Sequence, residues 1–135
     1  MIRKRIPLAA SLKALFQVLT VYQTTTVYNK IPSDAVAPYI KICAFTCKPG
    51  GSKDVNISNI TAQIQIFSTY DGELEVNSIA DDVIQVIEAD VAKLDLSADG
   101  FNVMEQSYDF FESFETEDGY TGIITFVAKI QNLGE

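Results

Sequence analysis

The sequence predicts a single α+β domain in which two amphipathic helices pack on one face of an antiparallel or mixed β-sheet, with a long C-terminal β-hairpin. Three observations lead to this fold class. Apolar residues recur at helical spacing in two segments, they alternate with polar residues in a central segment, and two long alternating segments flank an Asp-Gly pair near the C-terminus. At 135 residues the chain has the size of one domain, residues 1–135.

The first helix is predicted over residues 7–19. It begins with Pro7 near its first turn, and one apolar face follows at spacings of three and four. The residues of this face are Leu8, Leu12, Leu15, Phe16 and Leu19. Residues 20–28 are rich in β-branched and aromatic side chains and are expected to form a strand or an extended arm. Residues 1–6 carry Arg3, Lys4 and Arg5, a basic N-terminal arm that either touches an acidic partner or is solvated.

Three further segments complete the first half of the sheet. Residues 29–38 have loop composition, and residues 39–46 read as a strand. Residues 48–53 contain Pro49, Gly50 and Gly51, which suit a long exposed turn. The strand that follows alternates cleanly: Ile60, Ala62, Ile64 and Ile66 share one face, whereas Thr61, Gln63, Gln65 and Phe67 share the other.

The second half of the chain predicts one helix and one hairpin. Ile79, Val83, Val86 and Ile87 repeat at helical spacing, so a helix is expected over residues 73–93. Residues 101–114 and 120–130 then form two alternating segments joined at Asp118-Gly119. This pairing is a strong hairpin signal, because glycine tolerates the positive φ that such a turn requires.

The sheet face opposite the helices is expected to be half-apolar. Its polar positions are Thr61, Gln63, Gln65, Thr121, Thr125, Lys129 and Gln131. The same face also carries Phe67, Ile123 and Val127, which have no reason to face water in an isolated domain. We therefore expect this face to be a subunit interface.

Composition argues against catalysis and against tight binding of nucleic acid. A net charge of −8 repels polyphosphate, and the absence of histidine excludes Ser-His-Asp and Cys-His arrangements. No catalytic residue, cofactor site or metal site is expected, although paired carboxylates leave acid-base or cation chemistry open in principle. No stretch approaches the roughly 20 apolar residues of a membrane helix.

The two cysteines are expected to be buried free thiols. Cys43 and Cys47 are four residues apart, which on one extended strand corresponds to about 13 Å. Disulfide geometry needs Cα atoms within about 7 Å, so a bridge would require the strand to bend. With no histidine and no second cysteine pair, the ligands of a zinc site are lacking as well.

Aromatic side chains cluster on the predicted hairpin. Tyr108, Phe110, Phe111, Phe114 and Tyr120 are interleaved with acidic residues. Aromatic residues that stack on nucleic-acid bases come with lysine and arginine, so the neighbours here have the wrong sign for that role. Core and interface packing is the better interpretation, since flanking charges oppose random association and leave a specific protein contact possible.

Several short motifs resemble the tail-completion, or tail-terminator, proteins of long-tailed bacteriophages. They are Ala37-Pro38-Tyr39-Ile40-Lys41-Ile42, Ile64-Gln65-Ile66-Phe67-Ser68, the helix after Asp71-Gly72, and Asp118-Gly119-Tyr120-Thr121-Gly122. The resemblance implies a virion protein near the neck of the tail that forms a ring, commonly a homohexamer. Its implied partners are copies of itself, the tail tube protein and the head-tail connector, with DNA only as passing cargo.

Under this resemblance, two sets of residues become candidate sites. The subunit interface would include Phe67, Tyr108, Phe110, Phe111, Phe114, Tyr120, Ile123 and Val127. The ring lumen would include Glu112, Glu115, Glu117 and Asp118. Two alternatives stay open: another head-tail connector or tail tube component, and a small dimeric α+β module that binds or regulates.

Overall fold

The computed structural model describes residues 7–28, 30–49, 57–70, 72–89 and 93–133. The predicted basic arm at residues 1–6 lies outside this part of the chain. The elements in chain order are α1 (Leu8–Tyr22), β1 (Val27–Tyr28), β2 (Tyr39–Pro49), β3 (Ile57–Ser68), α2 (Leu74–Glu88), a 3-10 turn (Ser97–Asp99), β4 (Phe101–Thr116) and β5 (Gly119–Asn132).

The strands form one mixed sheet in the order β1-β2-β3-β5-β4. β1 pairs with β2 in parallel, whereas the other three pairings are antiparallel. The predicted α+β class, mixed sheet and C-terminal hairpin are confirmed. The hairpin turns at Glu117 and Asp118, and Gly119 follows with φ +148°. A Cβ on Gly119 would collide with the carbonyl oxygen of Ser68, so glycine is required here.

The core lies between the helices and one face of the sheet, which we call the covered face. On β3 this face consists of the alternating set predicted from the sequence. Ile60, Ala62, Ile64 and Ile66 are fully buried. Ile124, Phe126, Ala128 and Ile130 of β5 line up beside them, and the apolar stripes of α1 and α2 close the layer. Full burial of each large aliphatic side chain stabilises the fold by about 1.5–3 kcal/mol.

The first helix is longer than predicted. It continues to Tyr22, so the expectation that residues 20–22 belong to a strand or arm is wrong, and only Val27–Tyr28 form a strand. The Thr20 hydroxyl donates to the Phe16 carbonyl at 2.8 Å, which lets a β-branched residue stay helical. The Gln23 amide then donates to the carbonyls of Leu19 and Thr25, both at 2.7 Å, and closes the helix end.

The second strand also runs further than predicted. Lys48 and Pro49 belong to β2, so the expected turn over residues 48–53 is wrong at its start, and residues 50–53 lie outside the described chain. A bulge between Cys43 and Thr46, with Ala44 at φ +56°, changes the alternation of β2. Cys43 therefore pairs with Gln63 on one face and Cys47 with Ile60 on the other. Both thiols are free, as predicted, but they are half-buried and not fully buried.

The second helix is shorter than predicted. It ends at Glu88, and Ala89 is already extended at ψ 130°, so Lys93 is not helical. At its start the Ser68 hydroxyl donates to the Glu75 carboxylate at 2.6 Å and accepts the Tyr70 amide at 3.1 Å. These bonds hold the end of β3 against the first turn of α2. No helix in the described residues is long and apolar enough to cross a membrane.

Candidate assembly surface

The sheet face opposite the helices, which we call the bare face, carries cross-strand rows of side chains. The row at one end is aromatic and consists of Tyr39, Phe67, Thr121 and Phe114. The Tyr39 and Phe67 rings have centroids 5.1 Å apart, and Tyr28 meets Tyr39 edge-on at 5.7 Å. Thr121 is buried among these rings although no helix lies on this side. The bare face thus has an apolar end of its own.

The remaining rows of the bare face become more polar along the strands. From β2 to β4 they are Lys41, Gln65, Ile123 and Glu112; Cys43, Gln63, Thr125 and Phe110; Thr46, Thr61, Val127 and Ser107; and Lys48, Asn59, Lys129 and Glu105. Ile123 and Val127 therefore lie mid-sheet, and the charged side chains of these rows lie on β2 and β4, except for Lys129 on β5. This mixture of an apolar centre and a charged periphery is typical of protein interfaces.

Two bulges in β4 divide the aromatic cluster between the faces. The register shifts between Val103 and Glu105 and again between Tyr108 and Phe110. Tyr108, Phe111 and Tyr120 pack against the core on the covered face. Phe110 and Phe114 lie on the bare face and are 49% and 42% exposed. Of the predicted interface residues, five share the bare face: Phe67, Phe110, Phe114, Ile123 and Val127.

The predicted lumen residues gather at the hairpin end of the sheet. Glu112 lies on the bare face opposite Ile123, Glu115 pairs with Tyr120, and Glu117 and Asp118 form the turn. All four side chains are exposed. We call these four residues the acidic tip; Glu112 and Glu115 lie on opposite faces of β4, and the aromatic row that contains Phe114 lies between Glu112 and the turn.

The described residues do not form a catalytic or metal-binding arrangement. No group of three or more Cys, Asp and Glu side chains among them is placed to hold a metal ion. A groove of about 390 Å³ between the ends of α1 and α2 is lined mainly by uncharged side chains, with Asp82 as the one carboxylate. The Asp95 carboxylate accepts the Ser97 hydroxyl at 2.7 Å and the Ser97 amide at 3.0 Å, and these bonds lower the pKa of Asp95. That shift reflects a local turn, not reactive chemistry.

Sequence reasoning missed the β2 side of the bare face. Tyr39 and Lys41 belong to it, because Ile40 and Ile42 between them point into the core. Alternation against these two isoleucines was the signal that could have found them.

Comparison with known proteins gives one family and one fold. A family model described as "Tail completion protein gp17" matches residues 6–131. No curated protein matches the chain. Among solved structures, a chain from "Virion of native gene transfer agent (GTA) particle" has a TM-score of 0.75 at 15% identity. The match covers 88% of this chain and 92% of that one. At this identity the structural match establishes the shared fold.

Proposed function

The chain belongs to the tail completion protein gp17 family, and from that premise we propose that it forms a homo-oligomeric ring at the end of a tail tube. It is a structural phage tail protein and not an enzyme. In the proposed role, the ring joins the tail to the head connector near the neck of the virion and lets DNA pass. Six copies is the ring size that the resemblance to tail terminators implies.

The bare face is the observation that carries this proposal. In the part of the chain that the structure describes, both helices lie on one side of the five-stranded sheet. Ile123 and Val127 are therefore only half-buried on the bare face, and Phe67 packs there against Tyr39. Burying such apolar area against a partner contributes about 25 cal/mol per Å². The aromatic row adds rigid side chains of the kind that dominate interface energies. Assembly with further copies or tail proteins gives these residues a partner.

The acidic tip is proposed to face the channel of the ring. Glu112, Glu115, Glu117 and Asp118 are exposed on one end of the sheet. A channel wall with negative charge repels the phosphate backbone and so keeps passing DNA from binding. The chain's net charge of −8 has the same sign.

The mass of the purified protein tests ring formation. We expect wild type to give a closed oligomer by native mass spectrometry and light scattering. Ile123→Asp should shift it to smaller species while circular dichroism stays unchanged, because the side chain lies off the core. Leu74→Asp, at an exposed position in the first turn of α2, is the matched control and should assemble like wild type. A strict monomer or dimer under all conditions, including with tail extract, contradicts the ring.

Charge reversal tests the channel separately. Glu115→Lys, Glu117→Lys and Asp118→Lys together should leave assembly intact and slow DNA ejection from assembled particles. The matched control reverses Asp82 and Glu88, two exposed carboxylates of α2, to lysine. Unchanged DNA passage in the tip variant would remove these residues from the channel and leave the ring unaffected.

A further inference from the structure

Strands β2 and β4, on opposite sides of β3 and β5, carry opposite charge. β2 holds Lys41 and Lys48 and no carboxylate. β4 holds Glu105, Asp109, Glu112 and Glu115 and no lysine or arginine. The strands lie on opposite sides of the sheet, separated by β3 and β5. The subunit therefore has a basic edge and an acidic edge.

Both edges also keep backbone groups that the described sheet does not pair. β4 pairs along its whole length with β5 on one side, and no described strand lies on its other side. β1 covers β2 only at Ile40 and Lys41, so the run from Ile42 to Pro49 has β3 alone as its described neighbour. Long unpaired edges are templates for pairing with another chain.

We propose that copies of this protein associate head to tail by pairing the acidic β4 edge of one copy with the β2 edge of the next, residues 42–49, which carries Lys48 and no carboxylate. The inference rests on the proposed ring and names the two unlike edges that a heterologous interface between neighbours requires. The bare face is then left to pack against a stacked copy or another tail protein. It commits to a second copy of the same chain as the occupant of each edge.

Strand direction and face both fit this pairing. The pairs β2-β3, β3-β5 and β5-β4 are all antiparallel, so β2 and β4 run in opposite directions. If the next copy is related to the first by rotation about an axis parallel to the strands, its β2 runs antiparallel to β4 of the first copy. The bare faces of the two copies then lie on the same side of the joined sheet. Lys48 then lies on the same face as Glu105 and Glu112, the two bare-face carboxylates of β4. Within the subunit Glu105 pairs across the strands with Lys129, and Glu112 with Ile123.

Charge also excludes the competing arrangement. Pairing of β4 with β4 about a two-fold axis would align carboxylates with carboxylates, and like charges directly opposite are destabilising. The two bulges in β4 add to this effect, since bulges and charges at an edge oppose unselective pairing. Lys48 on the β2 edge turns the same carboxylates into attractive partners.

Cross-linking between single-cysteine copies tests the contact. In a Cys43→Ser, Cys47→Ala background, one tagged copy carries Lys48→Cys and the other carries Glu105→Cys or Glu112→Cys. Opposite residues in an antiparallel pair have Cβ atoms about 4.5–5.5 Å apart, close to disulfide geometry. We expect oxidation to link the mixed copies for at least one partner position. Copies with Lys48→Cys alone should not link above the level of Lys13→Cys, an exposed control on α1.

Charge exchange gives an independent readout. Lys48→Glu should weaken self-association roughly five- to tenfold, as reversal turns an exposed attraction into a repulsion. Lys48→Glu combined with Glu105→Lys and Glu112→Lys should restore it. Lys13→Glu and Glu88→Lys, both away from the sheet edges, should have no effect.

Different results would overturn the edge pairing and the ring. A wild-type oligomer of ring size without mixed cross-links, or with efficient Lys48→Cys self-links, overturns the edge pairing and leaves the ring. The pairing is also contradicted if Lys48→Glu and its combination with Glu105→Lys and Glu112→Lys weaken self-association equally. A wild type that stays monomeric or dimeric under all conditions, including with tail extract, overturns both.

Discussion

The two faces of the sheet use the same strands for different purposes. On β3 and β5, residues of one parity are fully buried under the helices, whereas their immediate neighbours are half-buried on the bare face. On these strands the covered face consists mainly of Ile and Phe with small residues between them, and it forms the centre of the core. The bare face mixes aromatic, amide and charged residues in rows. The contrast indicates that monomer stability resides mainly on the covered face, and it leaves the bare face for the proposed assembly.

Among the tests of this difference between the faces, Phe126→Ala should have the largest effect on stability. Phe126 is fully buried at the centre of the covered face. Its truncation should lower the free energy of unfolding by about 3–5 kcal/mol, because the lost transfer energy and the cavity add. Urea denaturation monitored by circular dichroism measures it. Thr125→Ala, one residue away on the bare face, is the control, and an equal loss there would contradict the division between faces.

A second test removes a polar contact at the border of the covered face. The Gln106 amide donates to the Ile87 carbonyl at 2.8 Å, and its oxygen accepts the Leu94 amide at 2.9 Å. Gln106 thus joins β4 to the last turn of α2 and to Leu94. Gln106→Ala should cost about 1–3 kcal/mol, since two partly buried backbone groups lose their partner. Hydrogen exchange at the Leu94 amide should accelerate, and unchanged protection there would refute this role. Gln85→Ala, at an exposed site, serves as control.

A third test overfills the covered face. A Cβ on Gly122 would lie 2.9 Å from both the Phe111 ring and a Val76 methyl group. Gly122→Ala should therefore destabilise by about 1–3 kcal/mol in denaturant titration. Phe111→Leu in the same chain should recover part of the loss, as the ring makes room. Strict additivity of the two changes would show that the contact is not the cause.

The smallest effect is expected from Val127→Thr on the bare face. The substitution keeps the shape and β-propensity, so the unfolding free energy of the monomer should change by no more than about 0.5 kcal/mol. The matched change on the covered face, Val103→Thr, buries a hydroxyl and should cost about 1–3 kcal/mol. Equal losses of unfolding free energy for Val127→Thr and Val103→Thr in parallel denaturation curves would contradict the difference between the two faces.

The alternation of Ile60 to Phe67 was enough to predict the two faces of β3, and the Asp118-Gly119 pair was enough to predict the hairpin. The interface residues were harder to assign, because strict alternation puts Tyr108 and Phe110 on one face. The bulge between them reverses that relation and sends Tyr108 and Phe111 to the core. Bulges arise from how paired strands match in length and twist, which one strand's sequence does not reveal. The end of α1 at Tyr22 was missed for a related reason, since side-chain bonds from Thr20 and Gln23 outweigh strand propensity there.

The bulge in β2 equips the protein with two native reporter groups. Because Cys43 points to the bare face and Cys47 to the covered face, one alkylating reagent samples both environments in a single molecule. The ratio of the two labelling rates is an internal standard, independent of protein concentration and reagent decay. Contact between copies at the edge formed by residues 42–49 should slow labelling of Cys43 relative to Cys47. Loosening of the helix layer should speed up Cys47 instead, so mass spectrometry of the labelled peptides can follow assembly and unfolding in the unmodified chain.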